Sequence, residues 1–381
     1  MQQYKYHTVL LLVASLLLVF HVLTDNSNES TVNSTALLQV HVISRHCDHL
    51  PATEEQIPND PVNWTYVYPD LIGNDLTPEG QQQCHTLGDL LRARYLLNSS
   101  TTHIQNISSH YNDMHYEFRS TNYTRTLNSM VAILSGLFPS ETVPRTTVIT
   151  VNNEPLLLGV INCTRMFSRY NQAIRTQVPR FINTTRQFVD QLYEQTGWMV
   201  EDDDEYDALI TLFDLLVAQV AHNRSHIEWV NDNWQNIMAL RDGIVSLLFS
   251  YNVVGKEGSS KLISTLIDDM TTMKKKYFQY SGHDATLQAL TGALKLNLDV
   301  PELGGQPNYG AHIVFELHQM NDGKKAVRIM HGSQYDSSEL TPLVLKSLGC
   351  NTEYCPLDTF KAITDGVSRT ANYDQACRVR P

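Results

Sequence analysis

Apolar and β-branched residues crowd the stretch LLQVHVISRH at 37–46, and polar clusters bound it on both sides, as expected of a buried strand ending at a loop. Residues 76–97, LTPEGQQQCHTLGDLLRARYLL, then place Leu87, Leu90, Leu91 and Tyr95 at helical spacing, with Thr77 and Pro78 as cap and first-turn signals. YEFRST at 116–121 reads as a second strand, YTRTLNSMVAILSGLF as the helix after it, and RTTVITV as a further strand. From about 160 to 275 strand signals stop and helical ones take over, as in DALITLFDLLVAQVAHN and KLISTLIDDMTTMKKKY. The acidic run Glu201 to Glu205 reads as a solvated helix start, where negative charge suits the helix dipole. KYFQYSGHD resumes the strand pattern, a helix follows over ATLQALTGALKL, and AHIVFELHQM with KAVRIMHG around Asn321-Asp322-Gly323 predicts a hairpin. The order predicts an α/β core interrupted by a helical insertion at about 160–275.

The 381 residues are 42% hydrophobic, enough for a substantial core. A formal charge of -12 argues against nucleic acid and anionic lipid as partners. The 15 histidines begin to charge below about pH 6 and would cancel much of that charge, which suits an acidic compartment. Residues 1–24 carry one Lys and then an apolar run from Val9 to Leu23, the pattern of a secretory signal peptide or, if retained, a signal anchor; 25–35 is a polar linker. Membrane attachment is expected only if that segment is kept. Asn-x-Ser/Thr sequons at Asn63, Asn98, Asn106, Asn162, Asn183 and Asn223, among others, agree with a glycosylating pathway. The sequon at Asn122 is expected to stay unmodified, because it sits between Arg119 and Arg125. Of the six cysteines, Cys350 and Cys355 are near enough for a local loop and Cys163 could tie to Cys377. Cys47 and Cys84 are then left over and read as two buried free thiols rather than a disulfide.

Two strand ends carry His beside a charged residue, Arg45-His46 and His283-Asp284, and a third carries Arg119, with Arg125 six residues on. Functional groups in α/β sheets gather at the carboxyl ends of strands, so these three stretches can converge. His46, Cys47, Asp48 and His49 are all metal-ligand types, but adjacent residues rarely point at one ion and the spaced pairs of zinc sites are absent. GKEGSSK at 255–261 lacks Walker spacing and reads as a helix-joining turn.

RHCDHLP at 45–51 resembles the R-H-G-x-R-x-P motif of the histidine acid phosphatases, and LTPEGQQQCHTLGDLLRARY, FRSTNYTRTLNSMVAILSGLFP, YSGHDATLQALTGAL and LGCNTEYCPLDTF match that family in order. The resemblance runs from Gln39 to the end, making 36–381 one domain. It implies a phosphoglycerate mutase-like α/β/α sandwich with a mostly parallel central sheet. It also implies His46 as a nucleophile forming phosphohistidine, Asp284 as proton donor to the leaving alcohol, and Arg45, Arg119 and His283 as phosphate contacts. No metal or organic cofactor is implied, and the substrates are small phosphomonoesters. The family suggests the pairs Cys163–Cys377 and Cys350–Cys355. His-Asp at 283–284 is closer to the acid phosphatase branch than to the phytase branch.

Two letters depart from the motif. His49 stands where a second Arg is usual and is expected to contact the phosphate as a weaker clamp, shorter and charged only when protonated, and Cys47 replaces a Gly, which could crowd the phosphate. Two readings follow: a secretory-pathway acid phosphatase, secreted, lysosomal or anchored, or a weakened member acting as a phosphate-ligand-binding or surface glycoprotein. A homodimer is compatible with the sequence.

Overall fold

The computed structural model describes residues 34–368, apart from 153, 161 and 201–203, together with Cys377. The expected signal segment, most of the linker and most of the acidic run therefore lie outside the described residues.

The first apolar run forms β1 (Ser34–Arg45). Helix α1 (Pro78–Tyr95) starts as the sequence indicates, with the Thr77 side chain accepting from the Gly80 N–H and Pro78 in the first turn. β2 (Tyr116–Ser120) is followed by α2 (Thr124–Leu137). The expected third strand is shorter than its apolar run: 145–147 form a 3-10 turn and only β3 (Val148–Ile149) pairs, with β2 as its partner at the sheet edge. The insertion includes α3 (Thr164–Thr176), α4 (Val178–Thr184), α5 (Arg186–Thr196), α6 (Glu205–Ala221), α7 (Trp234–Leu248) and α8 (Ser260–Thr272). Asp204 caps α6 by accepting from the Asp207 N–H, so the described end of the acidic run is a helix start. β4 (Tyr277–Gly282) leads into α9 (Asp284–Ala293). The hairpin is β5 (His312–Met320) with β6 (Lys325–Gly332), turning at Gly323 with φ 81°. Short β7 (Thr341–Leu343) and β8 (Cys355–Pro356) precede α10 (Leu357–Ser368).

The sheet order is β3-β2-β4-β1-β5-β6-β7, with β8 on β6. The β3-β2-β4-β1 half is parallel and β5-β6-β7 antiparallel. Strand alternation feeds two cores. Val40, Val42 and Phe118 face Leu87 and Leu91 of α1 and Met130 and Ile133 of α2, whereas Ile43, Phe278 and Tyr280 face Leu262 and Leu266 of α8 and Leu287 and Leu290 of α9. Each of these fully buried side chains contributes about 2 kcal/mol. Helices α1 and α2 cross so closely that a Cβ at Gly88 would meet the Ile133 carbonyl oxygen at 2.1 Å and one at Gly136 the His85 carbonyl oxygen at 2.3 Å. The insertion has a third core of its own, including Leu209, Leu212 and Leu216 of α6 and Ile237, Leu240 and Ile244 of α7.

All six cysteines are paired. Cys163–Cys377 and Cys350–Cys355 join as the resemblance suggested. The expectation for Cys47 and Cys84 is overturned: they form a disulfide with Cα atoms 5.9 Å apart. The loop after β1 lies against the buried face of α1, and both sulfurs sit fully buried in the core beneath it.

Candidate active site

Parallel register levels the strand ends, because Arg45 pairs with Gly282 and Ser120 with Ser281. The chain leaves β1, β2 and β4 on one edge of the sheet, above which lies a cavity of about 600 Å³. Arg45, His46, His49, Arg125, Asp284, Gln306 and Tyr309 line its floor.

Arg45 donates from Nη1 to the Pro307 carbonyl at 2.6 Å and lies 4.5 Å above the Tyr309 ring. Its buried Nε, like that of Arg125, has no partner among the described residues. Two guanidiniums with unmet donors on one floor make an anion cradle. His46 Nδ1 lies 2.9 Å from the Cys47 carbonyl, which can only accept, so Nδ1 carries the proton and Nε2 keeps its lone pair. Burial, then the charges of His49, Arg45, Arg125 and His283, hold the His46 pKa well below its ordinary value. The imidazole is therefore held neutral, with the lone pair of Nε2 left unprotonated. His49 is fixed the same way, by Nδ1 donating to the Leu50 carbonyl at 2.6 Å, with its ring 4.8 Å from that of His46. Its pKa is also lowered, by burial first and then by Arg45 and Arg125, against the opposing pull of Asp214.

His283 N-caps α9. Its Nδ1 accepts from Arg125 Nη2 at 3.4 Å and its Nε2 donates to the Thr121 hydroxyl at 2.9 Å. Both ring nitrogens are thus engaged, and burial with the neighbouring Arg125 lowers the pKa to about 3. His283 stands beside Arg125 rather than in the cavity lining. Asp284, in the first turn of α9, accepts at Oδ1 from the Ala285 N–H at 2.7 Å and at Oδ2 from the Gln306 side chain. Burial pushes its carboxyl up, but Arg45, His283 and these two donors more than offset this and hold it below the usual range.

Arg119 is not in the cradle. It lies within β2, and its Nε donates to the buried carboxylate of Glu154 at 3.1 Å. Arg125, in the first turn of α2 beyond the strand end, takes the place expected of Arg119. Cys47 does not crowd the cavity either, since its side chain turns into the core. The four-residue metal reading loses its donors: Cys47 is in the disulfide, and Asp48 Oδ2 accepts from the Thr77 hydroxyl and lies 2.9 Å from His222 Nε2. Among the described residues no group of three His, Cys, Asp or Glu has metal-holding geometry.

The facing wall belongs to the insertion. Ile210, Asp214 and Val217 of α6 and Arg241, Val245 and Leu248 of α7 line it, at the i, i+4, i+7 spacing of one helix face, with Tyr170 of α3 and Phe249 beside them. Sequence reasoning named none of these, nor Gln306 or Tyr309. The wall spacing was readable, but each helix has two partly apolar faces and nothing in the pattern says which one lines a cavity.

A neutral histidine, two guanidiniums and a carboxylate thus meet above the strand ends of a largely parallel sheet, an arrangement suited to binding an anion. The chain belongs to the histidine phosphatase superfamily (branch 2), whose family model matches residues 36–331. It is 28% identical over 354 residues to prostatic acid phosphatase of Rattus norvegicus, covering 86% of each chain. It is 27% identical over 366 residues to lysosomal acid phosphatase of Homo sapiens, covering 89% of this chain and 80% of that one. Among solved structures, the fold is similar to a Hafnia alvei phytase in complex with tartrate, at TM-score 0.68 and 17% identity over 91% of this chain and 99% of that one.

Proposed function

We propose that the protein is an acid phosphatase of the secretory pathway, hydrolysing small phosphomonoesters through a phosphohistidine at His46. The observation that carries this reading is the neutral Nε2 of His46 beside two guanidiniums with unmet donors and a buried carboxyl group. Nε2 attacks phosphorus and the P–O bond to the alcohol breaks. Asp284 gives its proton to the departing oxygen. Without phosphate Arg45 favours the ionised form of Asp284, but the negative charge of a bound phosphate offsets Arg45, and an ester entering as its monoanion brings the proton that Asp284 passes on. Water then attacks the phosphohistidine, Asp284 takes a proton from it, and phosphate leaves with His46 neutral again. Arg45 and Arg125 oppose the charge growing on the phosphoryl oxygens, and His283 orients Arg125.

The relatives named as prostatic and lysosomal acid phosphatases support the reaction class and the secretory setting, as do three disulfides. No helix among the described residues is long and apolar enough to cross a membrane. Of the two motif departures, Cys47 turns into the core, so the inactive alternative rests on His49. The test is hydrolysis of a chromogenic phosphomonoester at about pH 4 to 6 with a chelator present, where the charge from Arg45 and Arg125 makes an added metal unnecessary. Absence of turnover across that range, or turnover restored only by metal, would overturn the proposal.

A further inference from the structure

The carboxyl of Asp284 does not stand alone. Gln306 donates its side-chain N–H to Asp284 Oδ2, and Gln288 Nε2 in turn donates to Gln306 Oε1 at 2.8 Å. An amide can offer a carboxyl group either its NH2 or its oxygen, by flipping. Here the NH2 is turned to Asp284, because Gln288 donates to the Gln306 oxygen and a flip of Gln306 alone would set two NH2 groups against each other. The backbone is held as well: the Gln306 N–H donates to Asp242 Oδ1 at 3.0 Å, Asp242 pairs with Arg241, and a Cβ at Gly305 would meet the Asp242 carboxylate at 2.7 Å. All three polar side chains line the cavity.

We propose that Gln306, locked by Gln288, is a positioning residue that makes Asp284 a stronger acid and confines turnover to low pH. This rests on the reading of Asp284 as proton donor. A donor on the carboxylate favours the ionised form, so it eases departure of the proton to the leaving oxygen and lowers the pH above which the acid is spent. The same carboxyl faces the cations Arg45, Arg125 and Arg241, which act in the same direction, and the imidazole of His283 and the phenols of Tyr170, Tyr206 and Tyr309, which are neutral at these pH values. Of the donors to Asp284, only Gln306 can be removed without touching the phosphate cradle.

The test is the pH profile of kcat with an alkyl phosphate, whose poor leaving group needs the acid, for Gln306→Leu, Gln288→Leu and Asp284→Asn. Gln306→Leu should move the alkaline limb up by about one pH unit, the scale of one lost hydrogen bond to the charged form. Gln288→Leu should move it the same way by less, since it frees the amide to flip without deleting it. With 4-nitrophenyl phosphate, whose leaving group needs little protonation, both shifts should shrink. If Asp284→Asn abolishes alkyl phosphate turnover while Gln306→Leu lowers kcat equally at every pH, Gln306 is merely structural and the proposal is wrong. If Asp284→Asn keeps full turnover of the alkyl ester, the assignment of Asp284 itself falls, and the proposal with it.

Discussion

The floor of the cavity and its wall are built by different rules. The floor comes from strand ends and helix starts of the α/β core, where parallel register sets Arg45 level with Gly282 and Ser120 level with Ser281, and where Arg45, His46, Arg125 and Asp284 are fixed by backbone position and short hydrogen bonds. The wall comes from one face each of α6 and α7, helices that also build a separate hydrophobic core in which Val245 and Leu248 take part. A floor set by register tolerates few substitutions, whereas a helix face can vary residue by residue without moving the chemistry. On the proposed function, phosphoryl transfer is expected to depend on the floor and leaving-group preference on the wall.

The largest effect is expected inside the floor, from a contrast between two arginines six residues apart. Arg125→Ala should lower kcat/KM by about 10²- to 10³-fold, as for loss of one preorganised oxyanion donor. Arg119→Ala should instead leave the buried Glu154 carboxylate unpaired, costing about 3 kcal/mol of stability while turnover per folded molecule stays near that of the parent. Steady-state kinetics with thermal melts on both variants separate the two, and the reverse outcome would return Arg119 to the cradle.

A smaller effect is expected at the departure from the motif. Burial, Arg45 and Arg125 lower the pKa of His49, so without phosphate it takes up a proton only as pH falls below its ordinary value. Its cationic help to bound phosphate is therefore present on the acid side and lost as pH rises. His49→Arg supplies that charge at all pH, so kcat/KM should rise by about tenfold, most at the alkaline end. An unchanged pH–rate profile would mean that residue 49 does not act on the phosphate.

The effect smallest across substrates belongs to the wall, because it is confined to bulky esters. Ile210→Ala should reduce kcat/KM by about tenfold for a phosphomonoester with a bulky apolar alcohol and hardly at all for methyl phosphate. Equal losses on both substrates would show that the wall also shapes the floor.

How much of this was legible in the chain follows the same division. The strand at 37–46, the Thr77-Pro78 helix start and the Asn-Asp-Gly hairpin turn are local signals, and each forms where its pattern lies. Placing a charge at a strand end was the weaker step. Arg119 and Arg125 share one motif, but Arg119 is inside β2, where Phe118 turns to one core and Arg119 to the other face, whereas Arg125 lies past the strand in the first turn of α2. Reading β2 at period two would have separated them. The Cys47–Cys84 bond was hidden for a different reason: it depends on how α1 packs under the loop, a tertiary contact that spacing does not encode. The Gln288–Gln306–Asp284 chain joins two positions one turn apart on α9 to a loop residue, and nothing in the pattern says that the loop folds back onto that turn.

The central claim is that His46 carries the phosphoryl group. Its most direct test is rapid quenching of the protein during turnover of a radioactive phosphomonoester, followed by peptide mapping at alkaline pH, where phosphohistidine survives. The account predicts label on His46 alone and none in His46→Ala, which should remain folded because the residue belongs to a loop and not to the hydrophobic core. Label on another residue, or steady turnover with no trapped phosphoenzyme, would contradict it.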